Sequence, residues 1–476
     1  MASVFSKDKR IILIRRIKNF WEEFSHARIG LLGLGMLIIY VFVAFAAPLL
    51  SPYDPISQPR LAQSFAQPEW VTIFPGNGNL TKTKYWDIYW TPKTGAQYVS
   101  GEGTFLDVNF ATNTVGMTEV DLSGPLAFNQ LYPNEFFATL EYQVTSVQNI
   151  EYSLTLTLHT PNGTQYRFWG SDVLTADHGE TVTIDSQNPM ARATFGFKGV
   201  ENVGKAIFGQ QGDYEYILAL SFRALSAGAR ANVSIPGFQL ATLGHIHGIL
   251  GTDYLAKDIF TVLIYGTRLS LSIGLLAALA GTVIGILVGV ASGYIGGAVD
   301  EISMRVVDIL ICIPMLPLLL ALVNVTGQRN VYYIVVFIAI FGWQGLARVI
   351  RSQTLSIRET AYIDTARASG ASGGYVMIRH IIPNIIPVAF AAMVLAVPSA
   401  ILFEAALSFL GFGDPRVPTW GNMLQNAFGF GGFTHPPPAW WWIIPPGLAI
   451  IGLCLAFVFI GYAFDEIVNP RLRRRR

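Results

Sequence analysis

The sequence predicts two fold classes in one chain: an all-α membrane part with six spanning helices, and an all-β domain, a β-sandwich, inserted after the first span. Three observations predict it. The 476 residues are 52% apolar and only 13% charged, with positive mean hydropathy, which is a membrane composition. Apolar runs long enough to cross a hydrocarbon core, for which ~20 residues suffice, recur along the chain. Between the first and second runs, residues 51–250 read as short alternating strands separated by turns.

The elements follow in order. Residues 1–28 include KDKRIILIRRIKNFWEEFSHAR, a basic amphipathic segment expected in the cytoplasm. Residues 29–50 form the first span. A cleaved signal peptide has a shorter apolar core and small residues before its cleavage site, so this span is expected to stay. Five more spans are expected in the core, residues 251–476, near 269–294, 306–325, 331–350, 386–410 and 441–464. Trp440, Trp441 and Trp442 open the last of them, as an aromatic belt at the outer interface does.

Charge orients the spans. The formal net charge of +1 conceals a segregation: residues 51–250 hold 17 Asp/Glu against 10 Lys/Arg, and the rest holds 14 against 22. The positive-inside bias puts both termini, with the Arg471–Arg476 tail, and the basic loop 351–385 in the cytoplasm of a multi-pass plasma-membrane protein. Residues 51–250 then lie outside. Because the basic residues flank apolar spans, the partners implied are lipid and protein, not nucleic acid. Cys312 and Cys454 both lie in apolar runs, so residues 51–250 hold neither a disulfide nor a cysteine metal site.

Within 51–250, Tyr152, Leu154, Leu156 and Leu158 alternate with Ser153, Thr155 and Thr157, the pattern of a half-buried strand. Similar stretches occupy 135–145, 165–169, 181–184 and 213–223. Pro161-Asn162-Gly163, Ser100-Gly101 and Gly124-Pro125 are read as turns between strands. Asn79, Asn162 and Asn232 each begin a glycosylation sequon.

Several motifs are set aside, leaving no catalytic, cofactor or metal residue. The run Gly199-Val200-Glu201-Asn202-Val203-Gly204-Lys205-Ala206 lacks the terminal Ser/Thr of a phosphate-binding loop. His245-Ile246-His247 has two imidazoles and no companion cluster. Asp308 and Glu404 are acidic groups within expected spans, where they either line a pathway or lock helices together.

The loop 351–385 carries the strongest functional signal. Ile357, Ala361, Asp364 and Ala368 recur at helical spacing, predicting a helix over 355–369. Gly370 suits a left-handed helix end, and Ala371-Ser372-Gly373-Gly374 a turn. A second helix, 375–382, runs into Pro383, expected to redirect the chain. Arg348, Arg351, Arg358, Arg367, Arg379 and His380 gather there. Small residues on the exposed side favour a protein-docking lever over a helix lying on lipid.

These residues resemble the cytoplasmic loop of permeases of ATP-binding-cassette importers. Asp364, Thr365, Ala366, Gly370 and Pro383 stand where that family has an acidic residue, two alanines, a glycine and a proline; Asp for Glu and Thr for Ala are the departures. Further matches resemble the dipeptide/oligopeptide group, and within it the second permease of the pair. They are Leu250-Gly251-Thr252-Asp253 with Lys257-Asp258, the segment 264–271, Arg379-His380-Ile381-Ile382-Pro383-Asn384, the segment 406–413, Thr419-Trp420-Gly421 and Asn469-Pro470-Arg471-Leu472. The resemblance covers 27–55 and 245–476.

It implies a type I importer fold, and a non-enzymatic subunit partnered by a second permease, two ATPase subunits and an extracytoplasmic binding protein. Tyr362, Asp364, Thr365, Ala366, Gly370, Ala371, Arg379, Pro383 and Asn384 are the implied ATPase contacts. Di- or oligopeptide import is the implied function, with oligosaccharides or nickel as alternative cargo and a channel without ATPase as a distant one. The 51–250 insertion is expected to dock the binding protein, hold substrate such as sugars, or act as a spacer.

Overall fold

The structure, a computed structural model, describes Lys18, residues 21–197 and residues 201–468. Most of the 1–28 segment, Gly199-Val200, and the terminal Asn469-Pro470-Arg471-Leu472 and Arg471–Arg476 lie outside the described residues. The chain divides into two compact units, Met1–Ser57 with Ile259–Arg476, and Gln58–Asp258.

The membrane unit is helical. Helix α1 is Arg28–Leu50, α2 Ile259–Ile295, α3 Gly297–Cys312, α4 Met315–Thr326, α5 Val331–Phe341 and α6 Gln344–Arg358. Then come α7 Ala361–Ala368, α8 Gly373–Val376, α9 Ile382–Leu407, α10 Trp420–Gly429 and α11 Trp440–Val468. Five helical stretches, one of them α5 and α6 together, are long and apolar enough to cross a membrane, and α3 with α4 makes a sixth crossing only as a pair bent by 91°. The single span expected at 306–325 is therefore broken. Pro314, extended at the start of α4, has no N–H for the helical ladder, and the chain turns there.

Small residues set the helix spacing, as they do where lipid gives no hydrophobic drive for association. A Cβ added at Gly33 of α1 would lie 2.7 Å from the Ala456 carbonyl oxygen of α11. One at Gly289 of α2 would lie 2.6 Å from the Ala347 carbonyl oxygen of α6. The tryptophan belt is not what was expected: Trp441 and Trp442 are buried within the chain, the latter against Gly432.

Gln58–Asp258 holds two antiparallel sheets. One orders β3 (Val99–Glu102), β4 (Phe105–Thr112), β11 (Ala229–Thr242), β6 (Phe136–Gln148) and β9 (His178–Asp185), with β1 (Lys84–Asp87) also on β11. The other orders β2 (Thr91–Pro92), β5 (Gly116–Phe128), β10 (Gly212–Ala224), β7 (Ile150–His159) and β8 (Gln165–Gly170). Alternate residues of both sheets share one core, which makes the unit a sandwich. Phe110 of β4 stacks on Phe222 of β10 at 4.6 Å, and Tyr216 of β10 meets Phe238 of β11 edge-on at 4.8 Å.

The five strand stretches read from sequence all appear, and Pro161-Asn162-Gly163 is a turn, with Gly163 at φ +82°. Gly124-Pro125 is not. It lies inside β5, where β2 pairs only with Leu122 and Ser123 and leaves that side of the strand open beyond, the setting in which a strand tolerates proline. Gly124 has no Cβ because Ile88 and Trp90 pack directly against it.

Candidate functional site

The loop between α6 and α9 folds into a hairpin whose local chemistry explains each bend. The helix expected over 355–369 is broken: α6 ends at Arg358 and α7 begins at Ala361. Thr360 is extended (φ −84°, ψ 141°), and its hydroxyl donates back to the Ile357 carbonyl at 2.6 Å, competing with the helical ladder. α7 ends in a Schellman motif. Gly370 takes φ +85°, its N–H donates to the Arg367 carbonyl at 2.9 Å, and the Ala371 N–H donates to the Ala366 carbonyl at 3.1 Å. The Ser372 hydroxyl then caps α8 by accepting from the Tyr375 N–H at 3.4 Å.

Pro383 does not redirect the chain. Residues Gly373–Phe412 form one continuous helical stretch. A π turn at Met377–Ile381 precedes the proline, with the Ile382 N–H donating to the Met377 carbonyl. The Asn384 side-chain amide donates to the His380 carbonyl at 2.7 Å, so backbone shifted by the π turn and the proline keeps a partner. The same amide donates to the Tyr362 hydroxyl at 3.2 Å and ties α7 to the start of α9. The His380 ring lies between those of Tyr362 and Tyr375, 6.3 and 5.8 Å away.

The hairpin is anchored on one side and bare on the other. Ile363, Val376 and Ile381 are buried against Val290, Ile350 and Ile385. Asp364, Thr365, Gly370, Arg379, Pro383 and Asn384 are exposed, Tyr362 is 45% exposed, and Ala366 and Ala371 are half-buried. Asp364 and Arg379 have no ion-pair partner among the described residues, so both charges face outward unmatched.

The other basic residues do not join that face. Arg348 pairs with Asp308 of α3, and Arg351 pairs with Asp300, which also accepts from Ser292. Arg358 donates to the Gly293 and Tyr294 carbonyls at 3.2 and 3.4 Å, where a cation complements the end of α2. Arg367 lies over the Tyr294 ring at 4.9 Å. Sequence reasoning singled out neither Asp300 nor Tyr294, because nothing in the local pattern links them to residues more than 50 positions away.

The remaining candidates have structural partners. Glu404 is 1% exposed and accepts from the Ser408 hydroxyl at 2.7 Å. In the other unit, His245 meets the Thr81 hydroxyl at 3.1 Å and its basicity is lowered by burial, while His247 lies 3.8 Å from the Asp258 carboxylate. No group of three metal-ligating side chains occurs among the described residues. Asn202 caps the short helix Val203–Phe208, whose six residues are all that stands in place of a phosphate-binding helix.

The run Leu250-Gly251-Thr252-Asp253 forms a clasp. The Thr252 hydroxyl accepts from the Ala66 N–H at 2.8 Å and donates to the Gln63 carbonyl at 2.7 Å. Asp253 accepts from the Leu255 and Lys257 N–H groups at 2.8 and 2.9 Å, and burial pushes its carboxyl up to about 6.

A family model described as the binding-protein-dependent transport system inner membrane component matches residues 281–474. A second, the N-terminal TM domain of oligopeptide transport permease C, matches residues 16–68. The hairpin falls within the first match, and residues 69–280 fall in neither. The chain is 36% identical over 225 residues to the glutathione transport system permease protein GsiD of Pectobacterium atrosepticum, covering 47% of this chain and 73% of that protein. It is 35% identical over 225 residues to the oligopeptide transport system permease protein OppC of Bacillus subtilis, covering 47% and 72%. Among solved structures, an inward-facing form of the MetNI methionine ABC transporter is similar at 20% identity and a TM-score of 0.35, covering 44% of this chain and 97% of that one.

Proposed function

This chain belongs to the family of dipeptide and oligopeptide ABC-transporter permeases, and from that premise we infer that its α6–α9 hairpin is the lever through which an ATPase subunit drives peptide import. The observation that carries this reading is the asymmetry of the hairpin. Ile363, Val376 and Ile381 are committed to α2, α6 and α9, while Ile378, 71% exposed, projects together with Asp364 and Arg379, which have no partner of their own. Unmatched exposed charges of both signs beside Tyr362 and Tyr375 suit a complementary protein groove.

In this reading the chain forms half of the translocation path beside a second permease and receives cargo from an extracytoplasmic binding protein. ATP-driven closure of two ATPase subunits moves the hairpin. The network of Arg351–Asp300, Arg358 on α2 and Asn384–Tyr362 passes that movement to the helices as one body. Nucleotide and loaded binding protein must then favour the same conformation, because coupling is a shared preference between sites. Asp308 serves as a helix lock by pairing with Arg348 between α3 and α6, while buried Glu404 is satisfied within its own helical stretch by Ser408. The charge segregation supports cytoplasmic termini and an outer sandwich.

Co-purification tests the assembly. The native chain is expected to bring down ATPase subunits together with peptide-dependent ATP hydrolysis, and Gly370→Arg to lose both at unchanged membrane abundance. Recovery of an active transporter that lacks ATPase subunits would defeat the lever.

A further inference from the structure

Two helix breaks meet at one cavity of the membrane unit. α3 gives way to α4 at the 91° bend, and α5 gives way to α6 across Gly342 and Trp343. Each break leaves terminal carbonyls and N–H groups outside the helical ladder. At membrane depth, such backbone persists only where protein receives it or it lines a wet cavity. Residues from both breaks line a cavity of about 350 Å³, closed on the far side by α2 and α9. That volume is within the ~300–1,000 Å³ range of small-ligand sites.

Gln344 opens α6 on the wall of this cavity. It is 6% exposed, yet its side-chain amide has no hydrogen-bond partner among the described residues. Thr282, 7% exposed, and Ser399 are the other polar side chains of the wall, and Leu318 and Phe403 are among its apolar ones. No Asp, Glu, Lys or Arg lines the space, so neither a cation nor a charged headgroup is matched there. A lipid chain would leave the amide unpaired, and a buried polar group without a partner is unfavourable. A primary amide both donates and accepts, and a peptide link presents one N–H and one C=O.

We propose that Gln344 holds a main-chain peptide group of the cargo in this cavity during passage, which makes it a specificity-determining residue. The proposal rests on the peptide-import reading above. The transporter, assembled with all its subunits in liposomes, tests it with a photo-crosslinking benzoylphenylalanine at Leu318 and a labelled tetrapeptide. The labelled peptide is expected to crosslink during turnover. In Gln344→Met, which keeps side-chain length, crosslinking should fall at least tenfold at unchanged membrane abundance. Where Gln344→Met does not reach the membrane, Gln344→Glu, which keeps an acceptor, is expected to lose crosslinking only in part. Peptide uptake with crosslinks to lipid alone, or crosslinking that either variant leaves unchanged, overturns the subsite and spares the import reading. A native assembly that takes up no peptide overturns both.

Discussion

The sandwich buries Phe110, Phe136, Phe168 and Tyr216 within itself, whereas the hairpin between α6 and α9 buries Ile363 and Val376 only into neighbouring helices. One region completes its own core. The other borrows its core and presents unpaired Asp364 and Arg379. Burial of apolar area is what holds either in place. The sandwich therefore has the means to stand alone, and the hairpin is rigid only as an extension of the helices beneath it. That contrast separates a self-contained module from the proposed lever.

The largest effect should come at the hairpin tip. Gly370 holds φ +85° with open space where a Cβ would go. Gly370→Arg costs only about 1–2 kcal/mol of local strain, yet it fills the surface that the proposed ATPase contact needs. Peptide uptake by membrane vesicles should be abolished while immunoblots show normal abundance. Next, a fragment of residues 58–258 should fold by itself, and the sandwich within it should unfold cooperatively in urea. Phe136→Ala should lower its stability by about 3–5 kcal/mol, as large-to-small changes in aromatic cores do. A fragment that is unfolded without the membrane unit would erase the contrast.

The clasp sharpens the comparison through pH. The pKa of Asp253 is about 6 when folded against 3.8 for an ordinary aspartate, and burial is the chief cause. Burial thus favours the protonated acid, so its contribution is full below pH 3.8 and is lost as pH rises through about 6. The loss is of order 3 kcal/mol. Asp253→Asn keeps the oxygen that caps Leu255 and Lys257 and should flatten stability between pH 4 and 7 in thermal unfolding of the fragment. The smallest effect is expected at Asn384→Ala. It removes the bonds to Tyr362 and to the His380 carbonyl, each worth about 1 kcal/mol, and should slow uptake several-fold with the fold intact.

Much of this was legible in the sequence where one residue dictates one conformation. Gly370 ended α7 as its backbone freedom suggested, and the alternation at Tyr152–Leu158 became β7. Failures came where a local rule met a tertiary answer. Thr360 broke a helix that the spacing of Ile357, Ala361 and Asp364 carried through. Pro383 was absorbed by a π turn. Pro314 broke a span whose hydropathy was unbroken. β11 was not among the strands read from sequence; it carries Pro236-Gly237, and its ladder shifts register between Ser234 and Gly237. The candidate hairpin residues were readable as a motif. Their locks, Asp300 and Tyr294, were not, since ion pairs and ring contacts between distant segments leave no periodicity.

Lys84 and Thr242 face each other as the first pair of the β1–β11 ladder, so the strands that enter and leave the sandwich run side by side. Between Thr83 and Leu243, residues 84–242 therefore begin and end at one place. A fluorescent protein or affinity tag whose own ends lie close together should be accepted there in their stead.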